Sequence, residues 1–257
     1  MLTPSDFDHL HVVLVSTRNP LNIGAAARAM SNLGFLRLRV VNPYEASFRE
    51  ARSAVGAAPM LAKAEQYSSV GDAVADCSLV VGTTAGANRE LHHPLRLLQK
   101  AAPLIRKRLK TGSRVALLFG SEKRGLSNDD FSYCHWLMHI PTREEHASMN
   151  LGQAVAVCLY ELARSPAKTD NRTKSKTISK AKELQPAATG ELERITTMLI
   201  DSLRLSGYLG ERSIAAKEEK IRRMVRRLQL SSADAEVWLG MLRQMLWKMK
   251  PPPRNGQ

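Results

Sequence analysis

Residues 12–30 read Val12-Val13-Leu14-Val15-Ser16-Thr17-Arg18-Asn19-Pro20-Leu21-Asn22-Ile23-Gly24-Ala25-Ala26-Ala27-Arg28-Ala29-Met30, and this stretch decides the fold. The run of valine and leucine at 12–15 is apolar throughout, which fits a strand buried on both faces. A polar loop follows, Asn19 or Pro20 opens a helix, and Gly34 closes it. Ile23, Ala26, Met30 and Leu33 recur at helical spacing and mark the apolar face. Arg28 lies two residues before Met30, so at about 100° per residue it points away from that face. Its side chain leans toward the helix N-terminus, over Gly24, where no side chain blocks an approaching ligand backbone. A doubly covered strand followed by a one-sided helix is the building unit of an α/β domain.

The unit recurs through residue 165. Strands are expected at 12–15, 36–41, 78–81, 115–119 and 136–140, with helices at about 21–33, 49–64, 71–76, 94–110, 127–132 and 148–164. Uniformly apolar strands joined by helical crossovers imply a parallel sheet. The composition then changes: residues 165–190 hold six Lys or Arg, two acids and few apolar side chains, too little to bury enough surface for order. Three helical patterns follow, at about 190–206, 213–229 and 231–249. Ser206-Gly207 separates the first two and Ser231-Ser232 the last two, the serines offering N-cap hydroxyls. The expected organisation is an α/β domain over 1–165, a basic linker over 166–189 and a helical extension over 190–257.

Composition narrows the function. Of 257 residues, 44% are hydrophobic and 24% charged, as in a soluble globular protein, and 38 Lys and Arg against 24 Asp and Glu give a net charge of +14. That excess makes a polyanion the first partner to consider. It is concentrated in the tail, where residues 166–257 carry +9 against +5 for 1–165. Within the tail Arg222, Arg223, Arg226 and Arg227 form a stripe opposite Ile221, Met224, Val225 and Leu228. The stripe reads either as the solvated face of a packing helix or as a phosphate contact, and the lack of interleaved Glu favours the second. The longest apolar run, 154–160, is far short of the ~20 residues that cross a bilayer. No secretory signal precedes the first strand, and Cys77, Cys134 and Cys158 are too few and too odd in number for a disulfide framework. No membrane association and a reducing cytoplasm are expected.

Several familiar motifs fail. Residues 120–127 have the glycine spacing of a phosphate-binding P-loop, but Leu126 stands in the place of its lysine. No G-x-G-x-x-G follows a strand and no G-x-S-x-G occurs, which disfavours a dinucleotide enzyme or a serine hydrolase. Cys134, His135 and His139 lie in an apolar strand with no second ligand pair nearby, so no metal site is expected.

Two further strand-to-helix loops complete the picture. One is Phe119-Gly120-Ser121-Glu122-Lys123-Arg124-Gly125-Leu126-Ser127-Asn128, where Ser127 or Asn128 can cap a helix and Glu122 reads alternatively as an ion-pair partner of Lys123, Arg124 or Arg28. The other is Ile140-Pro141-Thr142-Arg143-Glu144-Glu145-His146-Ala147-Ser148-Met149-Asn150, where Ser148 and Asn150 also read as helix-start residues. With the first loop they resemble the signature set of the SPOUT superfamily, specifically its TrmH-like branch of RNA ribose 2′-O-methyltransferases. Asn22 through Arg28 resembles the first motif, Phe119-Gly120-Ser121-Glu122 with Gly125-Leu126 the second, and Ser148-Met149-Asn150 the third. More loosely, Leu192-Glu193-Arg194 and Lys220-Ile221-Arg222-Arg223-Met224 look like the C-terminal extension of members that methylate ribose 32 of tRNA.

The resemblance implies a parallel-sheet α/β knot domain with a C-terminal trefoil knot, which the rarity of knots would otherwise argue against. It implies S-adenosylmethionine held largely by backbone groups at Thr83, Thr84, Ala85, Gly120, Ile140, Ala147, Ser148 and Met149. Met149 stands where members commonly have Leu, a change that backbone-mediated binding tolerates. It further implies a homodimer with Arg28 near the partner's cofactor pocket, and RNA, most simply tRNA, as substrate. Arg28 is the residue implicated in removing the hydroxyl proton. A guanidinium with a pKa above roughly 12 is a poor base, so it is better read as a clamp on the target phosphate and the developing oxyanion. Asn22, Glu122, Ser148 and Asn150 then orient it or the ribose. The competing readings are an rRNA 2′-O-methyltransferase of the same family and a non-catalytic RNA-binding protein. Low aromatic content, 5%, favours recognition by shape and backbone over base stacking.

Overall fold

The first strand of the chain, Leu10–Val15 (β1), is buried along its whole length, as a strand covered on both faces must be. The computed structural model describes residues 2–52, 58–86, 91–164, 185–209 and 214–249. A one-turn helix, Pro4–Phe7 (α1), precedes β1; after it come Pro20–Leu33 (α2), Arg37–Val41 (β2), Glu45–Arg52 (α3), Ala58–Ala62 (α4), Glu65–Tyr67 (β3) and Val70–Ala73 (α5). Leu79–Thr83 (β4), Leu95–Leu97 (β5), Leu98–Lys110 (α6), Val115–Phe119 (β6), Asn128–Ser132 (α7), Trp136–His139 (β7) and Leu151–Ala163 (α8) complete the α/β part. The seven strands form one sheet in the order β3-β2-β1-β6-β4-β7-β5, and every pairing is parallel, with Val12 opposite Leu38 on one side and Leu117 on the other.

Two apolar layers sandwich the sheet. Ile23, Met30, Ile105 and Val155 of α2, α6 and α8 fill one face, while Val70 and Phe131 of α5 and α7, with Leu126, fill the other. Helix α2 packs on α8 so closely that a Cβ added to Gly152 would stand 2.6 Å from the Ala25 Cβ. Small residues at that crossing let the two backbones approach.

Several expected boundaries move. The helix expected over 49–64 is two helices, α3 and α4, with residues 53–57 outside the described residues; Pro59 falls in the first turn of α4, where its missing N–H costs nothing. Residues 95–97 of the expected helix 94–110 form the edge strand β5, and the helix starts at Leu98. Three residues after Pro94 are too few for periodicity to separate strand from helix. The helix expected from 148 starts at Leu151 because Asn150 is its N-cap. β3 was not expected at all, being short, polar and at the other sheet edge.

Residues 165–184, most of the expected linker, lie outside the described residues. Its last residues are not a free tether: Ala187 is buried and its N–H donates to the Leu230 carbonyl at 2.9 Å. Thr189–Leu205 (α9), Ile214–Arg227 (α10) and Ser232–Met249 (α11) then pack around Leu192, Ile195, Val225 and Leu242. This helical unit docks on the α5/α7 side of the sheet, where the Thr189 hydroxyl donates to the Cys77 carbonyl at 2.6 Å.

The arginine stripe on α10 is corrected by the same docking. Arg226 is 1% exposed; its Nε donates to the Tyr133 carbonyl at 3.0 Å and its Nη2 to Glu193 at 3.1 Å. Arg222 donates to Glu193 at 3.0 Å and to the Ser132 hydroxyl at 3.0 Å, and lies 4.5 Å above the Tyr133 ring. The acid that pairs with Arg222 and Arg226 sits on α9, about thirty residues away, where a reading of α10 alone does not find it; Arg223 lies 3.8 Å from Glu219 one turn earlier on α10, and Arg227 stays exposed. Met224 and Leu228, expected on the packed face, are exposed.

Candidate functional site

The chain leaves β1 through Ser16 in the left-handed region, φ 51°, and enters α2 through an Asn19 cap whose side chain accepts from the Leu21 N–H at 3.0 Å. Pro20 takes the first helical position and Gly34, at φ 81°, ends the helix. Asn22 is thereby set in the first turn, facing the loop that follows β6.

That loop is shaped by Gly120. A Cβ there would lie 2.0 Å from the Gly125 carbonyl carbon and 2.2 Å from the Leu126 nitrogen, so only glycine lets the chain fold back on itself. The Gly125 N–H donates to the Ser121 carbonyl at 2.8 Å and Gly125 takes φ 66°. The glycine spacing that resembles a P-loop therefore builds a tight return that presents Glu122. Ser127, with Asp130, then caps α7.

Three loops are joined by one line of hydrogen bonds. Asn22 Nδ2 donates to Glu122 Oε1 at 3.0 Å, across 100 residues of chain. Asn150 Nδ2 donates to Asn22 Oδ1 at 2.8 Å, while its Oδ1 accepts from the Gly152 N–H at 2.9 Å. Cap and bridge together fix which way the Asn150 amide faces. Glu122 thus pairs with a neutral amide rather than with Lys123 or Arg28.

This line borders a cavity of about 470 Å³ at the carboxyl ends of β4, β6 and β7. Its wall includes Thr83, Thr84, Ala85, Gly120, Ile140, Ala147, Ser148 and Met149, together with Asn22, Glu122 and Asn150. Leu126, Phe131, Met138 and Leu151, which sequence reasoning did not assign here, form a buried apolar floor. Leu126 was legible only as part of the second motif, Met138 stands in an apolar run, which signals core as readily as ligand, and Phe131 and Leu151 are single apolar residues between polar or small ones. The Thr83 hydroxyl donates to the Leu118 carbonyl at 2.8 Å, joining the ends of β4 and β6, and the Thr142 hydroxyl donates to the Ala147 carbonyl at 3.1 Å, closing the loop after β7 on itself. Ser148 is exposed at the wall.

Arg28 is the exception. It is exposed on α2, six residues beyond Asn22 and so about 9 Å further along the axis, and it does not line this cavity. Four of the five residues read as a polar constellation meet within the chain; the guanidinium stands outside it.

The cavity suits an amphiphilic ligand with a flat aromatic part and polar ends. Its apolar floor fits a purine, and the backbone groups around Gly120, where no side chain can intrude, fit a ribose and an amino-acid end. S-adenosylmethionine has this shape. Among the described residues no cluster of His, Cys, Asp or Glu could hold a metal ion, and Cys77, Cys134 and Cys158 are buried and free. Cys158 lies in apolar surroundings that push its pKa up to about 12 through desolvation.

Comparison with known proteins agrees with this geometry. A sequence profile of the SpoU rRNA Methylase family matches residues 9–160. The tRNA (cytidine/uridine-2′-O-)-methyltransferase TrmJ of Sodalis glossinidius is 32% identical over 252 residues, covering 95% of this chain and 93% of that protein. The tRNA (cytidine/uridine/adenosine-2′-O-)-methyltransferase TrmJ of Pseudomonas aeruginosa is 32% identical over 91% of this chain and 93% of its own length. The crystal structure of TrmJ from Z. mobilis ZM4 superposes with a TM-score of 0.77 at 28% identity, covering 91% of this chain and 98% of the other. The matched segment holds all three loops, and the relatives match the helical extension as well; the chain therefore belongs to the SpoU methylase family and is an RNA methyltransferase.

Proposed function

We propose that this protein methylates the ribose 2′-hydroxyl at position 32 in the anticodon loop of tRNA, with S-adenosylmethionine as methyl donor. The observation that carries the reading is the Asn150–Asn22–Glu122 line bordering a cavity with an apolar floor. Binding a cofactor needs the cavity; it does not need three polar residues from separate loops locked together beside it. The names of the relatives, tRNA 2′-O-methyltransferases acting on cytidine and uridine, supply the acceptor class.

When bound, the cofactor supplies an electrophilic methyl group. The residues of this chain supply alignment, which is worth much of the barrier when a weak nucleophile must meet that methyl group in line. Glu122 and Asn22 are positioning residues, holding one another and the loop after β6. Asn150 fixes the start of α8 and Ser148 offers its hydroxyl to the ribose. Arg28 clamps the phosphate next to the target and stabilises the oxyanion that forms as the hydroxyl proton leaves.

In this reading Arg28 acts in the cavity of a second subunit. It makes no ion pair or hydrogen bond among the described residues, and the paired helices α2 and α8 expose Leu21, Val157 and Tyr160, an apolar surface suited to a homodimer. The backbone after β7 is read as threaded into a trefoil knot, which holds the loops at 83–85, 120–126 and 140–149 around one ligand. The helical extension is read as a tRNA-binding part and the protein as cytoplasmic, where its substrate and reduced thiols belong. Among the described residues no helix is long and apolar enough to cross a membrane.

Nucleoside mass spectrometry of tRNA from a strain lacking the gene tests the assignment. Loss of 2′-O-methylation at position 32 is expected; full methylation there overturns it. Mixing Arg28→Ala subunits with subunits altered at Ala147 and Met149 tests the shared site: activity returns in the mixed dimer if each cavity is completed by its partner, and stays absent if it is not.

A further inference from the structure

A second cavity, of about 520 Å³, lies at the opposite, amino-terminal edge of the sheet. Its walls come from both parts of the molecule: Arg96, Lys107 and Arg108 from β5 and the last turns of α6, and Arg226 and Arg227 from the end of α10. No aspartate or glutamate is among its described lining residues. The carboxyl end of α6 offsets about half a charge, leaving the cavity strongly positive. β4 runs from this edge to the other, so about 15 Å of sheet separates the two cavities.

Arg226 singles the cavity out. Nε and Nη2 are used in docking, but Nη1 is buried without an acceptor among the described residues, on a side chain 1% exposed. An unpaired buried donor on a charged group is costly, and the fold leaves it beside a space lined by four other cations. Arg108 is only partly exposed, and Arg227 is exposed at the rim.

We propose that this junction cavity is a phosphate site that holds the backbone of the RNA substrate, with Arg108 and Arg227 closing on one phosphate group and Arg226, enclosed in the wall behind them, adding its charge. It rests on the reading of the protein as a tRNA enzyme but is separate from the methyl-transfer cavity. It also gives the helical extension a specific role, because a site shared between α6 and α10 exists only when the extension is docked. RNA bound there reports the docked state and is anchored on the far side of the sheet from the loops that perform transfer.

The test uses the full chain. Arg226→Ala risks unfolding, so the informative variant is the double substitution Arg108→Ala and Arg227→Ala, which leaves Glu193, Arg222 and Arg226 in place. Expected are a roughly tenfold weaker tRNA affinity near 0.1 M salt and a salt slope smaller by about 1, with S-adenosylmethionine affinity by calorimetry within twofold. Inorganic pyrophosphate should raise the melting temperature of the wild type and not of the variant. Unchanged tRNA affinity and slope in the folded variant overturn the RNA assignment. If pyrophosphate protection is nevertheless lost, the site takes a free phosphate compound; if protection is also unchanged, no phosphate site exists. Binding is read without turnover, so the result stands or falls independently of which nucleotide is methylated.

Discussion

Arg28 and Arg226 sit on helices of the same length, 14 residues, and carry the same charge, yet one stands in solvent and the other is 1% exposed. The difference lies in what the neighbouring helix offers. α2 meets α8 through alanine and glycine, which bring backbones together and leave an arginine on the outer face nothing to bind. α10 meets α9 and α7 at Glu193 and at the Tyr133 carbonyl, both placed to receive a guanidinium. A buried charge costs several kcal/mol unless paired, so Arg226 marks where two parts of the molecule dock. An arginine left unpaired at a protein surface keeps its full capacity for a ligand, and that is the position of Arg28.

Substitutions sharpen the contrast. The largest effect expected is on stability at the docking site: Arg226→Ala removes a partner of half-buried Glu193 and should cost about 3–5 kcal/mol in urea unfolding, and a loss under about 1 kcal/mol would mean the docking does not depend on the pair. Arg28→Ala should instead lower methyl transfer by roughly 10²–10³-fold, about 2.7–4 kcal/mol of transition-state stabilisation. Its melting temperature should stay close to wild type and its cofactor affinity within a few-fold. A parallel collapse of turnover and cofactor affinity would give Arg28 a structural role.

A third group, buried like Arg226, extends the comparison to a base that stays neutral. His11 on β1 is 5% exposed, and desolvation, then Arg39, lowers its pKa to about 4. The folded state disfavours its proton while the unfolded state accepts one below about 6.5. Stability is therefore retained above about pH 6.5 and falls as pH drops toward 4, by up to about 3 kcal/mol for this group. His11→Gln should flatten that part of the urea-measured pH profile, and an unaltered profile would assign the acid loss elsewhere. The smallest effect is expected at Arg227, adjacent to Arg226 in sequence but exposed: Arg227→Ala should change stability by no more than about 0.5 kcal/mol, and a larger loss would place it in the docking contact.

Much of the candidate site was legible from local pattern. The strand and helix around residues 12–33, the caps at Asn19, Gly34, Ser127 and Asn150, and the outward direction of Arg28 all follow from residues near one another in the chain. Gly120 was legible as a loop glycine, though the reason, contact with the Gly125 backbone, was not. Glu122 read alternatively as an ion-pair partner of a nearby cation and instead binds Asn22, because the competing donor comes from a loop 100 residues away. Buried Arg39 escaped notice for the same reason. Its carboxylate partners, Glu65 and Asp76, come from other elements, and an arginine in a strand otherwise reads as an exposed edge. The stripe on α10 misled most, since a helix taken alone cannot tell a solvent-facing cation from one that a distant acid will neutralise.

By itself the amino-acid sequence determined the alternation of buried strands and one-sided helices, the helix boundaries set by caps, and the three loops able to carry polar chemistry. Each is a property of residues close along the chain, where periodicity and backbone preference act. Only the tertiary structure decided that β6 lies between β1 and β4, that Asn150, Asn22 and Glu122 meet, and that Arg226 is enclosed while Arg28 is not. Those outcomes depend on pairings between residues far apart in the chain, and such pairings are settled by which surfaces exclude water together rather than by any local pattern.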